Sequence, residues 1–166
     1  MIKLFRNIRQ NLLMENKTGK YFIYVILRSP FLILHCYLTS GMDDYSVTSL
    51  YESKNEWASR LVNILVTHTH GDHSPGALAL AKETCATLVG LNAPQAPGQD
   101  HSFVSDIACT DGDIIECQDT AGRYSLQMIH TPGHVSNHLC FLLREEGLLF
   151  TGDHVLQGTT PVILPP

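Results

Sequence analysis

The run His68-Thr69-His70-Gly71-Asp72-His73 puts three imidazoles and a carboxylate into six residues. It begins where the apolar segment Ile64-Leu65-Val66 runs out and stops just before Ser74-Pro75, an N-cap followed by a proline suited to a first helical turn. In an extended segment residues i and i+2 point the same way, so His68 and His70 project toward one point. Gly71 then permits a sharp turn that carries Asp72 and His73 round to the same cavity. This mixture of nitrogen and oxygen donors suits zinc or iron and disfavours metals that prefer thiolates. With nine histidines and nine aspartates among 166 residues, shuffling would produce H-x-H-x-D-H about once in 700 trials. A His-rich surface loop formed by chance is therefore set aside.

Two later segments fit the same chemistry. Thr131-Pro132-Gly133-His134 follows a strand-like stretch, and its proline and glycine turn the chain abruptly to present His134 at the strand's end. Thr151-Gly152-Asp153 follows Leu148–Phe150 in the same way, with Gly152 allowing close approach of backbone to a ligand or metal. Singly these are everyday turns. Together, each delivers one donor type at the exit of an apolar strand. His138 lies four residues after His134, which on a helix would make a ligand pair. Here the Pro-Gly turn leads into a strand, so a structural or supporting place is favoured. His130 and His154 read as core or supporting residues, and His35 and His101 as ordinary strand or loop histidines.

The elements that must hold these groups alternate. Ser53 to Leu61 reads as a short helix, Ile64–Val66 as a buried strand, Ser74-Pro75 to about Thr84 as an Ala/Leu-rich helix, and Thr87–Leu91 as a strand. Asn92 to Ser105, with Pro94, Pro97 and Gly98, is a loop of a length usually reserved for function. Asp111-Gly112-Asp113 is a turn, and Ile114–Cys117, Tyr124–His130, Leu139–Leu143 and Leu148–Thr151 are short strands, with Glu145-Glu146-Gly147 as another turn. The sum is an α/β layered sandwich.

Composition bounds the rest. Hydrophobic residues make up 44% and charged residues 16%, ordinary globular usage that excludes disorder. Five cysteines without C-x-x-C argue against a disulfide framework or a zinc ribbon; they read as buried, reduced thiols, which favours the cytoplasm. Residues 1–28 hold six basic residues and one acid, and the remainder five basic against fifteen acidic. Long nucleic acid is therefore disfavoured as a partner. Behind the basic leader, residues 21–38 are apolar, and only they could serve a membrane anchor or secretory signal. Arg28-Ser29-Pro30 at the centre of that stretch opposes a span. A β-hairpin of Tyr21–Leu27 and Phe31–Leu38 is the favoured reading.

In this order, H-T-H-G-D-H, T-P-G-H and T-G-D resemble the metallo-β-lactamase superfamily, most nearly its glyoxalase-II-like and lactamase-β-like hydrolases. Ile64-Leu65-Val66-Thr67 before the first motif and His138-Leu139-Cys140-Phe141 after the second are similar too. The likeness runs from about Trp57 to Pro166. It implies a domain over residues 57–166, preceded by a divergent segment 1–56, folded as an αββα sandwich with a two-metal centre at one edge. By the match, His68, His70 and His134 hold the first metal, Asp72 and His73 belong to the second, and Asp153 bridges them. One or two zinc ions are implied, with iron second.

The implied activity is that of a hydrolase acting on a small-molecule ester, thioester or phosphodiester through metal-activated hydroxide. Asp72 then orients the nucleophile and returns a proton. Gly71 and the loop from Asn92 to Ser105 would border the substrate. The family usually opens with a β-meander ending in an Asp-Gly turn, where this chain has Met42-Asp43-Asp44. It also supplies a last histidine well beyond T-G-D, whereas thirteen residues follow Asp153 here and His154 is too close to serve. The pattern thus implies an incomplete second half, truncated or completed by another subunit. Two alternatives stay open: a catalytically silent metal-binding domain, or a mono-iron oxidoreductase resembling persulfide dioxygenases. The family's diiron flavoproteins are disfavoured, since they carry H-x-E rather than His68-x-His70.

Overall fold

Ile64, Leu65 and Val66 are apolar in unbroken succession, the pattern of a strand covered on both faces, and a computed structural model shows that burial. It describes residues 11–16, 19–24, 31–34, 36–37, 62–71, 73–119, 122–145, 147–156 and 158–163. The first strands are β1 (Asn11–Asn16), β2 (Gly19–Tyr24), β3 (Phe31–Leu34) and β4 (Cys36–Tyr37). After them come β5 (Asn63–Val66), helix α1 (Ala77–Thr84), β6 (Thr87–Gly90) and β7 (Ile107–Ala108). The chain continues through β8 (Ile114–Asp119), β9 (Gly122–His130), β10 (Leu139–Leu143), β11 (Leu148–Phe150) and a short 3₁₀ turn, Gly152–His154.

Two four-stranded sheets make the sandwich. One is parallel, in the order β3-β5-β6-β7; the other is antiparallel, in the order β11-β10-β9-β8. Leu65 and Val89 from the first meet Leu126, Met128, Leu139, Phe141, Leu143 and Phe150 from the second in one buried cluster. Helix α1 lies against β5 and β6, contributing the buried Ala77, Leu80 and Ala81. Alternation along β5 therefore gives Leu65 to the sandwich core and leaves Ile64 and Val66, equally buried, for the opposite face. The fold is the α/β class that the alternating elements implied.

Several local expectations change. The helix starts at Ala77 rather than at Pro75: Gly76 occupies the N-cap at a left-handed φ of 89°, and the Ser74 hydroxyl donates to Asp100 at 2.7 Å instead of capping. The expected hairpin partner Phe31–Leu34 instead pairs in parallel with β5, from Phe31↔Asn63 to Leu34↔Val66. β2 forms its hairpin with β1 and, on its other side, pairs antiparallel with β4 at Phe22↔Tyr37 and Ile23↔Cys36, so the far end of the expected Phe31–Leu38 strand does take its place beside β2. Continuous apolar runs suit parallel strands, which is why Phe31–Leu34 could join that sheet. The helix expected at Ser53–Leu61 lies outside the described residues. Cys109 and Cys140 are buried free thiols, but Cys85 is exposed at the end of α1. Among the described residues no helix is long and apolar enough to cross a membrane.

Candidate metal centre

β5 ends at Val66, and the next residues carry His68 and His70 out over the edge of the sandwich. The following turn is closed by His73 N–H and Ser74 N–H, which donate to the His70 carbonyl at 2.9 and 3.3 Å. This brings His73 back against His68, with ring centroids 4.0 Å apart. Gly71 contributes less than its position suggests. It does not adopt a positive φ, and among the described residues a Cβ there would meet only the Gly98 carbonyl, at 4.0 Å. From the opposite sheet, the loop after β9 delivers His134, and the turn after β11 delivers Asp153.

The groups converge. Ring nitrogens of His68, His70 and His134 lie within 4.8 Å of one another, as do donor atoms of His68, His73 and Asp153. His134 Nε2 is 2.9 Å from His70 Nδ1, and Asp153 Oδ2 lies 3.3 Å from His73 Nε2 and 3.7 Å from His134 Nε2. Asp72, the remaining member of the motif, lies outside the described residues.

The protonation pattern favours a cation. His134 Nδ1 lies 2.6 Å from the Val162 carbonyl oxygen. A carbonyl can only accept, so Nδ1 carries the hydrogen, which leaves Nε2 as the ring nitrogen able to face a cation. That is the arrangement by which outer partners orient metal-binding histidines. His68 is 1% exposed, with Nδ1 bonded to Thr67 Oγ1 at 3.1 Å and a buried Nε2 that has no hydrogen-bond partner among the described residues. Burial first, then the neighbouring imidazoles of His73, His138, His70 and His134, hold its pKa far below the usual histidine range. A neutral ring with a buried nitrogen lacking a partner, aimed into a cluster of other donors, fits a divalent ion.

His138 is more closely involved than its sequence position suggests. It is fully buried, its ring stacks 5.0 Å from that of His68, and Nδ1 lies 2.8 Å from Thr131 Oγ1. Burial first, then the neighbouring imidazoles of His134 and His154 outweighing the Asp153 carboxylate, push its pKa down to about 3. Its Nε2 faces Gly152, whose φ is +49°; a Cβ there would stand 2.7 Å from that nitrogen and 2.9 Å from Thr67. The close approach expected at Gly152 toward a ligand or metal is instead toward a histidine and a threonine of the chain. His130, by contrast, is exposed and hydrogen-bonds the Ser136 carbonyl at 2.8 Å. Sequence reasoning missed the Val162 carbonyl and the supports Thr67, Thr131 and Asn137; the four-residue spacing from His134 was the one available signal for His138.

Residues 52–166 match the family profile described as the metallo-beta-lactamase superfamily. An atrochrysone carboxyl ACP thioesterase from Pseudocercospora fijiensis is 31% identical over 127 residues, covering 75% of this chain and 34% of that protein. The thioesterase pkgB of Emericella nidulans is 38% identical over 94 residues, 57% of this chain and 24% of its own. The chain spans about a third or less of the length of the curated relatives it matches. Among solved structures, a metallo-beta-lactamase family protein from Thermus thermophilus superposes with a TM-score of 0.62 at 18% identity, over 92% of this chain and 60% of that one. A class B3 di-zinc metallo-beta-lactamase from an Alaskan soil metagenome gives 0.53 at 16% identity, over 75% and 50%. Both share the fold.

Proposed function

The chain belongs to the metallo-β-lactamase superfamily, and from that premise we propose that it is a zinc-dependent hydrolase of thioesters. The observation that carries the reading is the pair of donor sets, His68–His70–His134 and His68–His73–Asp153, each gathered within 4.8 Å. Thioesters are favoured over oxygen esters and phosphodiesters because curated relatives are named thioesterases, one of them for an ACP-bound acyl group. The substrate is then an acyl thioester, free or carried on an acyl carrier protein.

Bound zinc would supply Lewis acidity and water with a pKa of about 7. The chain's own residues do the rest. His134, locked by the Val162 carbonyl, keeps its Nε2 lone pair turned to His70. His68, kept neutral by burial, offers a nitrogen that competes for no proton at working pH. Asp153 stands beside both His73 and His134 and would serve the two donor sets together. Asp72 keeps, from its place in the motif, the role of orienting the attacking water and returning a proton to the departing sulfur. Water adds its oxygen to the acyl carbon, the C–S bond breaks, and acid and thiol are released.

One imidazole nitrogen serves one ion, and both donor sets use His68. That sharing favours a single-ion centre, and the second reading is that the ion is iron, in a mono-iron oxidoreductase, rather than zinc. Elemental analysis combined with a thioester assay and a phosphodiester assay separates the two. The proposal expects one or two zinc ions per chain and thioester cleavage that His68→Ala abolishes. One iron per chain with oxygen uptake on a persulfide, or thioester cleavage indifferent to His68→Ala, overturns it.

A further inference from the structure

Behind the His68–His70 pair lies a buried polar relay that the metal reading does not use. Thr69 sits between the two histidines, so along an extended segment its side chain points away from the face they share. It is fully buried, and Asn137, three residues after His134, is 6% exposed. Asn137 Nδ2 donates to Thr69 Oγ1 at 2.7 Å and to the Leu91 and Asn92 carbonyls at 3.3 and 3.2 Å. Those two carbonyls fix the orientation of the amide, since an oxygen facing them would be repelled. Thr69 Oγ1 in turn donates to Gln99 Oε1 at 2.7 Å, and Gln99 pairs with His70 as an isolated bridge. The Thr69 hydroxyl therefore spends its hydrogen on Gln99 and a lone pair on Asn137.

The backbone is pinned at the same place. Asp100 N–H donates to the Thr69 carbonyl at 2.6 Å, and Leu139 N–H to the Thr67 carbonyl at 2.7 Å. Three segments far apart in sequence thus meet at one hydroxyl: the end of β5, the loop after β6 and the loop after β9.

We propose that Asn137, acting through Thr69, is a positioning residue that sets the spacing between the His68–His70 pair and His134. The inference rests on the metal reading above. Asn137 Oδ1 and Gln99 Nε2 have no hydrogen-bond partner among the described residues. The four directional bonds made by Asn137 and Thr69 nevertheless restrain the segments they join, and donors held at their final spacing bind an ion without a cost for gathering them. Asn137 touches neither substrate nor ion; it acts on the ligands through the backbone they share.

Thr69→Val keeps the volume and removes both hydroxyl bonds, whereas Thr69→Ser restores the hydroxyl. Zinc affinity by competition with a chromophoric chelator, and the visible absorption of the cobalt(II)-substituted protein, are measured for wild type, both variants and Asn137→Ala. Losses of about 10- to 100-fold in zinc affinity are expected for Thr69→Val and Asn137→Ala, the range seen when outer partners of metal ligands are removed. The cobalt spectrum should shift in both, and Thr69→Ser should stay close to wild type. A merely structural network would lower the melting temperature while leaving zinc affinity and the cobalt spectrum at wild-type values, and that result overturns the proposal. Should Thr69→Val not fold, Asn137→Ala decides by the same two readings. If the wild type itself binds neither ion, the metal reading falls and takes the positioning role with it. If the wild type binds and the variants match it, the positioning role falls alone.

Discussion

Gly152→Ala tests whether the T-G-D turn is glycine for reasons of space as well as conformation. The φ of +49° alone costs an L-residue about 1–2 kcal/mol. The methyl would stand 2.7 Å from His138 Nε2 and 2.9 Å from both Cβ and Oγ1 of Thr67, well inside contact distance. Neither neighbour can yield cheaply: His138 is fully buried and tied to Thr131, and Thr67 is 1% exposed and bonded to His68. Overpacking of this kind costs about 1–3 kcal/mol, which brings the expected loss to about 2–5 kcal/mol. At about 2–4 °C per kcal/mol for a chain of this size, the melting temperature should drop by about 4–20 °C. Gly112→Ala is the control, because Gly112 has a φ of +85° but, among the described residues, nothing within 4 Å of its added Cβ. It carries the conformational cost alone, about 1–2 kcal/mol. Thermal melts followed by circular dichroism compare the two variants. If Gly152→Ala melts no lower than Gly112→Ala, the crowding argument is wrong.

Gly71, although it stands inside the histidine motif, should tolerate alanine, since it has no positive φ and, among the described residues, its added Cβ would meet only the Gly98 carbonyl at an ordinary contact distance of 4.0 Å. Gly71→Ala is expected to raise stability by about 0.4–1 kcal/mol through the unfolded state, and a melting temperature several degrees below wild type would contradict this. The Cys109 thiol is pushed up to about 11 by burial and then by the charge of Asp113, against about 8.5 unfolded. Between those values the folded chain keeps a proton that the unfolded chain releases. This contribution to stability is therefore whole below about pH 8.5 and is lost as pH rises through about 11. Urea melts at several alkaline pH values should show a steeper decline for wild type than for Cys109→Ala; parallel declines would refute the assignment.

The sandwich and the donor cluster were legible because they follow local rules. An unbroken apolar run marks a strand buried on both faces, and a two-residue period puts His68 and His70 together. Proline and glycine at the strand exits announced the turns bearing His134 and Asp153. What local rules could not reach were partners distant along the chain. Asn137 meets Thr69 across 68 residues, and Phe31–Leu34 finds β5 rather than its neighbour in sequence. The N-cap failed for the same reason: Ser74 is an apt cap by type, but its hydroxyl is taken by Asp100, 26 residues on. Gly152 was read as making room for a ligand or metal, whereas the structure sets it against His138 and Thr67, which nothing in the sequence could name.

The account depends on His68, His70, His134, His73 and Asp153 holding a cation in common. Isothermal titration of the metal-stripped protein with zinc, run beside His134→Ala, tests this most directly. One or two tight ions per wild-type chain, with loss of at least one in the variant, is the predicted result. A wild type that takes up no zinc, or a variant that binds it as tightly, would contradict the account.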